Sequence, residues 1–418
     1  MIILARKILS ITSPDIDDGA IVVSGSKIVD KGKRNQILKK YPTEKVVDLE
    51  GKLVMPGLVN LHAHLELSFL KGILGEKKGF FSWIEDLVRL KKKASAKEME
   101  SAAAEALREA IRTGTTCIAD ISSTEAAIPF LVKSGVRAHV FLEALGLDER
   151  IADKAFSSLI KRLESLKGLS GRIRAGISPH ASYSVSSKLL NRIVEYSSGN
   201  TLCIAIHLSE TKDETAYFSG KASGMDGYMK AFGWEGLNRL PGKTPIEAVS
   251  KFGFKNMVMV AVHCVHPSAT DYSLLKKSGA SVAWCPRSNH FLGVGNAPVK
   301  KYLEKGINVG LGTDSLASNL SMNMWDEMRF AWLVSGLKAL DIIRAATLGG
   351  AKALGLDGVT GSIEPGKDAD LIGIETTAAG MKDAFQTLIS DTRPQDIAFT
   401  MVQGKAIYSK DGHTCYEF

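Results

Sequence analysis

Residues 61–68 read LHAHLELS. In an extended strand, side chains two residues apart leave the same face, so His62, His64 and Glu66 would project together. Two imidazoles on one face can share a cation, although an HxH pair also suits a strand end whose histidines hydrogen-bond locally. Other parts of the chain must therefore supply further ligands. His180 closes RIRAGISPH, His207 is followed three residues later by Glu210 in HLSE, His263 lies in VHCVH, and Asp314 lies in LGTDSLASN. His62, His64, His207 and Asp314 make a mixed nitrogen and oxygen set suited to one divalent ion, Zn2+ or Fe2+, with a coordination position left open for water. Such an ion brings the pKa of its water towards neutrality and so provides a nucleophile.

Glu210, just beyond a ligand, is in reach of a substrate held at the metal and suits a general acid. A helix-starting glutamate favoured by the helix dipole has the same signature. His263 is expected to hydrogen-bond at the reacting centre without ligating, because four ligands already fill a mononuclear site. His180 stands at a strand end where a two-metal site would need a lysine, so one metal per chain is expected. Glu66 and Glu143 could read substrate N–H or hydroxyl groups, or could pair with nearby Lys or Arg. Arg287 and Asn289 in CPRSN, together with Ser315, are expected among the polar substrate contacts, with a loop held by Ser288 and Asn289 as the structural alternative.

These groups need a scaffold that collects strand ends. Eight apolar runs serve: LVMPGLVNLHAH, then 115–121, 137–145, 172–180, 201–210, 256–264, 280–286 and 307–314. Helical periods fill the gaps, notably 97–112, 186–197 and 322–335. Near-continuous apolar strands alternating with helices predict an α/β fold, a closed parallel (β/α)8 TIM barrel whose reactive groups lie at the C-terminal ends of the strands. The first fifty and last sixty residues carry short β patterns instead, predicting one small β-sandwich from both termini. The expected division is 1–54 with 358–418 for the β-sandwich and 55–357 for the barrel.

The 418 residues are 45% hydrophobic, long and apolar enough for a large enzyme domain plus a smaller one. The net charge of +8 is spread along the chain, with a short cluster RLKKKASAK and no interleaved aromatics, which reads as a solvated helix face more than a nucleic-acid stripe. Five cysteines without a CxxC pair indicate neither a disulfide framework nor a thiolate zinc site, so a cytoplasmic protein is expected. No apolar run reaches the roughly 20 residues that span a bilayer. The stretch MIILARKILSITSPDIDD has its charges inside the apolar segment, so export is not expected. GVGNAP lacks the spacing of a nucleotide-binding fingerprint, and the PCxxC that accompanies H-x-E in zinc deaminases acting on nucleic-acid bases is absent.

PGLVNLHAH, HLSE, VHCVH, LGTDSLASN and the closing GSIEPGKDADLI together resemble the amidohydrolase superfamily, in its mononuclear deaminase and chlorohydrolase branch, over nearly the whole chain. The resemblance implies a distorted barrel with a terminal β-sandwich and a metal on His62, His64, His207 and Asp314. It also implies proton transfers by Glu210 and Asp314, with His263 touching the reacting centre. Two groups within the branch compete. Methylthioadenosine and S-adenosylhomocysteine deaminases share SPH, VHCVH and GTD…ASN. Aminodeoxyfutalosine deaminases are similar in HAHLELS, FSWIEDL, VFLEALG with Glu143, HASYSVS and CPRSN. Lys92 stands nine residues after Trp83, where the methylthioadenosine type carries a ribose-binding glutamate. The implied activity is a metal-dependent aminopurine nucleoside deaminase, with 6-aminodeoxyfutalosine of the menaquinone route as its expected substrate. The alternatives are a methylthioadenosine or S-adenosylhomocysteine deaminase, a hydrolase of cyclic amides or triazines, or a non-catalytic scaffold. The expected partner is a small nucleoside, with no nucleic acid and no membrane; relatives suggest a homodimer.

Overall fold

The computed structural model describes residues 1–75, 79–254, 257–381 and 383–412. Asn256 at the start of the sixth expected strand, residues 76–78, and Cys415 lie outside the described residues.

The terminal strands are β1 (Ile2–Ile8), β2 (Ile16–Ser24), β3 (Lys27–Lys33) and β4 (Val46–Pro56) from the N-terminal part. Eight more follow: β5 (Leu58–Ala63), β6 (Thr115–Ser122), β7 (Arg137–Ala144), β8 (Ile173–Pro179), β9 (Cys203–Leu208), β10 (Met259–His263), β11 (Ser281–Trp284) and β12 (Val309–Leu311). The last three are β13 (Leu371–Ile374), β14 (Ile397–Val402) and β15 (Lys405–Ser409).

Strands β5 to β12 pair in sequence order and every pair is parallel. All of β5, β6, β9, β10, β11 and β12 is buried, which is why these segments read as unbroken apolar runs without alternation. The ring closes between its first and last strands. A parallel bridge joins Ala63 to Asp314, the Asp314 N–H donates to the His62 carbonyl at 2.9 Å, and Asn60 exchanges two hydrogen bonds with Thr313 at 2.8 and 3.1 Å. Val59, Leu61, Phe141 and Val262 fill the barrel, with Leu354 and Leu356 packed against them. Helices cover the outside. The one at Ala96–Arg112 starts with a capping box between Ser95 and Glu98, and the one at Ser187–Gly199 is capped by Ser186. Among the described residues no helix is long and apolar enough to cross a membrane.

Both termini build one seven-stranded sheet in the order β15-β14-β13-β4-β1-β2-β3, in which β1 and β4 are parallel and every other pair is antiparallel. One of its cores contains Ile3, Ile8, Ile21, Val54 and Leu371; a second contains Ile2, Leu4, Val22 and Ile37. The run LVMPGLVNLHAH, read as one strand, is two: β4 ends at Pro56 in the terminal sheet and β5 begins at Leu58 in the barrel. Gly57 is the joint. A Cβ there would lie 2.1 Å from the Thr116 side chain. Gly57→Ala is therefore expected to destabilise the fold by about 1–3 kcal/mol through overpacking. Gly358→Ala, where a Cβ meets nothing within 4 Å, should leave thermal denaturation nearly unchanged.

The terminal sheet is fastened to the bottom of the barrel by Arg137, the first residue of β7. Its Nε donates to Asp370 Oδ2 at 3.0 Å and its Nη2 to Asp368 Oδ2 at 2.7 Å, all three side chains being buried. The Gln403 amide N–H adds a bond to Asp370 Oδ1 at 2.8 Å, and Lys27 pairs with Asp368 at 2.8 Å.

Candidate active site

The histidines singled out in the sequence meet at one end of the barrel. His62 Nε2 and His64 Nε2 lie 3.5 and 3.6 Å from Asp314 Oδ1. These contacts are longer than normal hydrogen bonds. They match instead the spacing of about 3.3 Å between ligand atoms set tetrahedrally around an ion at roughly 2.0–2.1 Å. The His62 and His207 rings are 5.0 Å apart, and potential ligand atoms of His62, His207 and His263 fall within 4.8 Å of one another. Both ring nitrogens of His62 are buried and without a hydrogen-bond partner. A buried, unsatisfied imidazole facing a carboxylate and two more imidazoles fits a divalent cation.

The surroundings prepare these groups to ligate. His207 Nδ1 faces the His180 carbonyl at 2.6 Å, so Nδ1 carries the proton and Nε2 keeps a lone pair. Burial and the neighbouring His62 push the His64 pKa down to about 3; burial and the surrounding imidazoles hold His207 well below its ordinary value. Both are neutral and ready to bind at neutral pH. Burial alone would raise the Asp314 carboxyl, yet His62, His263 and His64 surround it and hold it well below the usual carboxylate range. Ser288 and Ser318 hydroxyls donate to its Oδ2 at 2.6 and 3.2 Å. Asp314 has φ of +61° and His263 φ of +66°, left-handed backbone that non-glycine residues rarely adopt and that concentrates at functional sites.

Glu210 Oε1 sits 3.4 Å from His263 Nε2. His263 Nδ1 donates to Asn289 Oδ1 at 2.9 Å, which turns the lone pair of Nε2 towards Glu210. Burial, then Asp314 and Glu214, raise the Glu210 carboxyl well above its ordinary pKa, while burial lowers His263 to about 4. A buried carboxyl whose acid form is favoured thus faces a neutral imidazole. The sequence reading missed Glu214: its Oε2 accepts the Glu210 N–H at 2.8 Å and its Oε1 the Ser182 hydroxyl at 2.7 Å, which fixes the turn carrying Glu210. Its only signal was a position four residues after Glu210 in a helix.

Residues 53–407 match the Amidohydrolase family. The chain belongs to this family. It is a hydrolase, and curated relatives cover it almost end to end. A 5-methylthioadenosine/S-adenosylhomocysteine deaminase of Moorella thermoacetica is 28% identical over 96% of this chain and 92% of its own length. Another of the same name from Teredinibacter turnerae is 31% identical over 86% and 79%. Among solved structures, the Helicobacter pylori aminofutalosine deaminase in complex with methylthio-coformycin superposes with a TM-score of 0.88 at 24% identity, covering 97% of this chain and all of that one. A zinc-bound adenosine deaminase from Xanthomonas campestris gives 0.84 at 24% identity, covering 97% and 92%. At these identities the two structures speak for the fold.

Beside the metal-binding groups, this amidohydrolase has a cavity of about 320 Å³, at the lower end of the range that holds small ligands. Glu143, His180, Glu210, His263, Asp314 and Ser315 line it. Three expected substrate contacts do not reach it and are corrected. Asn289 is fully buried behind His263 and orients its ring. Arg287 reaches away to the Ser321 hydroxyl at 3.0 Å, and its N–H is held at 2.9 Å by Glu327, a buried carboxyl raised to about 7. Glu66 lies beneath the wall, with Lys91, Ser123 and Thr124 around its carboxylate.

The other wall was not foreseen. Phe80, Trp83, Ile84, Leu87 and Val88 on the helix Phe80–Lys91 face the cavity at the 3- and 4-residue spacing of one helix face. A file of rings continues from the metal-binding groups: His207 to His180 (5.2 Å), His180 to Tyr183 (6.0 Å), Tyr183 to Tyr228 (6.0 Å) and Tyr228 to Trp234 (6.0 Å). Polar chemistry is thus confined to one end of a largely apolar and aromatic pocket.

Proposed function

We propose that this amidohydrolase removes the 6-amino group of an aminopurine nucleoside as ammonia, using one Zn2+ held by His62, His64, His207 and Asp314. The observation that carries the reading is buried Glu210, 3.4 Å from His263, beside that ligand set. When bound, the cation supplies Lewis acidity and an activated water. Glu210 gives its proton to purine N1 as the water oxygen adds to C6, which keeps the ring from accumulating negative charge. Asp314 accepts the proton lost by the water and delivers it to the amino nitrogen. The C6–N bond then breaks and ammonia leaves, while the remaining C6 hydroxyl proton passes to the Glu210 carboxylate, which restores the acid and leaves a 6-oxopurine. His263 donates no proton; its lone pair orients Glu210.

The apolar and aromatic wall suits a nucleoside with a bulky aryl extension at the 5′ position. On that ground, and on the motifs HAHLELS and FSWIEDL, 6-aminodeoxyfutalosine is our first substrate. The relatives at 28–31% identity favour a second, methylthioadenosine or S-adenosylhomocysteine. Ammonia release measured side by side from the three, as kcat/KM, decides: a tenfold lead corresponds to about 1.4 kcal/mol of transition-state preference. Release from none of them rejects the deaminase.

Chelation tests the metal. Stripping it should abolish turnover, with one equivalent of Zn2+ per chain restoring it. It should also lower stability by about 4 kcal/mol relative to protein in free metal a thousandfold above Kd. A chelated protein that retains full kcat rejects the assignment.

A further inference from the structure

Lys91 ends the helix that forms the apolar wall, and its ammonium is clamped. Its Nζ donates to Glu66 Oε1 at 2.7 Å and to the Ser123 hydroxyl, which itself lies tightly against Glu66 Oε1. Glu66 Oε2 accepts the N–H groups of Ser123 and Thr124 at 3.1 and 2.8 Å and the Thr124 hydroxyl at 2.6 Å. Five donors therefore saturate Glu66, only 2% exposed, and leave nothing for a substrate. Lys91 differs. An ammonium has three N–H donors; two are committed to the clamp, and Lys91 lines the cavity together with Ser123 while Glu66 does not.

Glu143 lines the same cavity, half-buried, and its carboxylate has no hydrogen-bond partner among the described residues. Lys91 and Glu143 line the cavity together with His180, whose ring is 5.2 Å from that of His207. A fixed donor and a free acceptor thus stand one ring away from the metal-binding groups. Their charges matter for what they can bind. Lys91 (+1), Glu66 (−1) and Glu143 (−1) sum to −1, so an anionic group would be repelled. A hydroxyl needs one donor and one acceptor and meets both.

The geometry points to Lys91, positioned by Glu66, as the residue that reads the sugar hydroxyls of the substrate, with Glu143 accepting a hydroxyl hydrogen across from it. The inference rests on the nucleoside deaminase reading and adds to it a specificity determinant. With purine C6 at the metal-binding end, the sugar would leave from the opposite edge of the base, into the cavity that Lys91 and Glu143 line.

The test is a comparison of adenosine with 2′,3′-dideoxyadenosine on wild-type protein, Lys91→Met, Lys91→Arg and Glu66→Gln, with metal content measured for each. Against adenosine, Lys91→Met should raise KM by roughly 10-fold or more, the loss of one charge-assisted hydrogen bond, with kcat within about threefold of wild type. Against the dideoxy compound the Lys91→Met penalty should vanish, and wild type itself should show the same rise in KM. Lys91→Arg should recover part of the loss. Glu66→Gln should raise KM in the same direction with kcat and metal content preserved, the mark of a positioning residue. An equal Lys91→Met penalty on both nucleosides, or none on adenosine, overturns the inference while leaving the deaminase standing. A wild-type enzyme that releases no ammonia from any aminopurine nucleoside overturns both. If Lys91→Met does not fold, the wild-type comparison of the two nucleosides still decides, since equal KM values overturn the inference.

Discussion

Glu210→Gln lowers kcat by about 10²–10⁴, the range that one positioned general acid contributes, while the protein keeps its metal. The side chain is buried, and its carboxyl is raised by that burial and by Asp314 and Glu214. The amide that replaces it has nearly the same shape. The Glu210 N–H to Glu214 hydrogen bond is a backbone contact and survives. What disappears is a transferable proton. KM should change little, because the acid acts as the transition state forms, and melting temperature should stay close to that of wild type. Normal turnover in a metal-replete Glu210→Gln enzyme would sink the acid assignment.

Arg137→Met is the largest expected effect on stability, about 3–5 kcal/mol, because removing one partner of a buried ion network leaves the others uncompensated. Asp368 and Asp370 would remain buried at the junction of barrel and terminal sheet, with Lys27 reaching only Asp368. Urea denaturation at pH 7 measures the loss. The network also has a pH signature. Burial alone would raise the Asp368 carboxyl, but Lys27, Gln403 and Arg137 more than offset it and the pKa is lowered. A carboxyl depressed on folding contributes stability that is complete above its unfolded pKa of about 3.9 and is lost as pH falls through the folded value. Wild type should therefore soften on acidification below about pH 4, and Arg137→Met should soften less steeply. Identical acid slopes in the two proteins would remove the network from the account.

The barrel was legible because parallel strands are buried on both faces and so lose the alternation that marks half-exposed strands. The eight runs, six of them ending in His62 and His64, Glu143, His180, His207, His263 or Asp314, could hardly be anything else once read together. The boundary at Gly57 was hidden, because an apolar strand passing from one sheet to another does not change its composition. The pocket wall was hidden for a related reason. Phe80, Trp83, Ile84, Leu87 and Val88 have the spacing of an ordinary core stripe, and nothing in the spacing says that the stripe faces a cavity instead of a neighbouring helix. Glu66 misled because alternation places it on the face of His62 and His64. The chain in fact leaves the strand at Ala63 and enters a 3-10 turn at Leu65–Leu70, which carries the carboxylate to Lys91. Asn289 was recognised as polar and important, but periodicity could not tell a group that touches the substrate from one that steadies His263.

The closure of the barrel has a bearing on biogenesis. The seam between β5 and β12 is sewn by Asn60 with Thr313 and by His62 with Asp314, segments some 250 residues apart in the chain. The same two segments bring the first imidazoles and the carboxylate to the ion. A nascent chain that has emerged only as far as β11 can gather histidines but has neither the last strand nor the carboxylate. A cation held by the proposed ligand set would therefore be acquired only at the end of synthesis, a rivet driven once the final stave is in place.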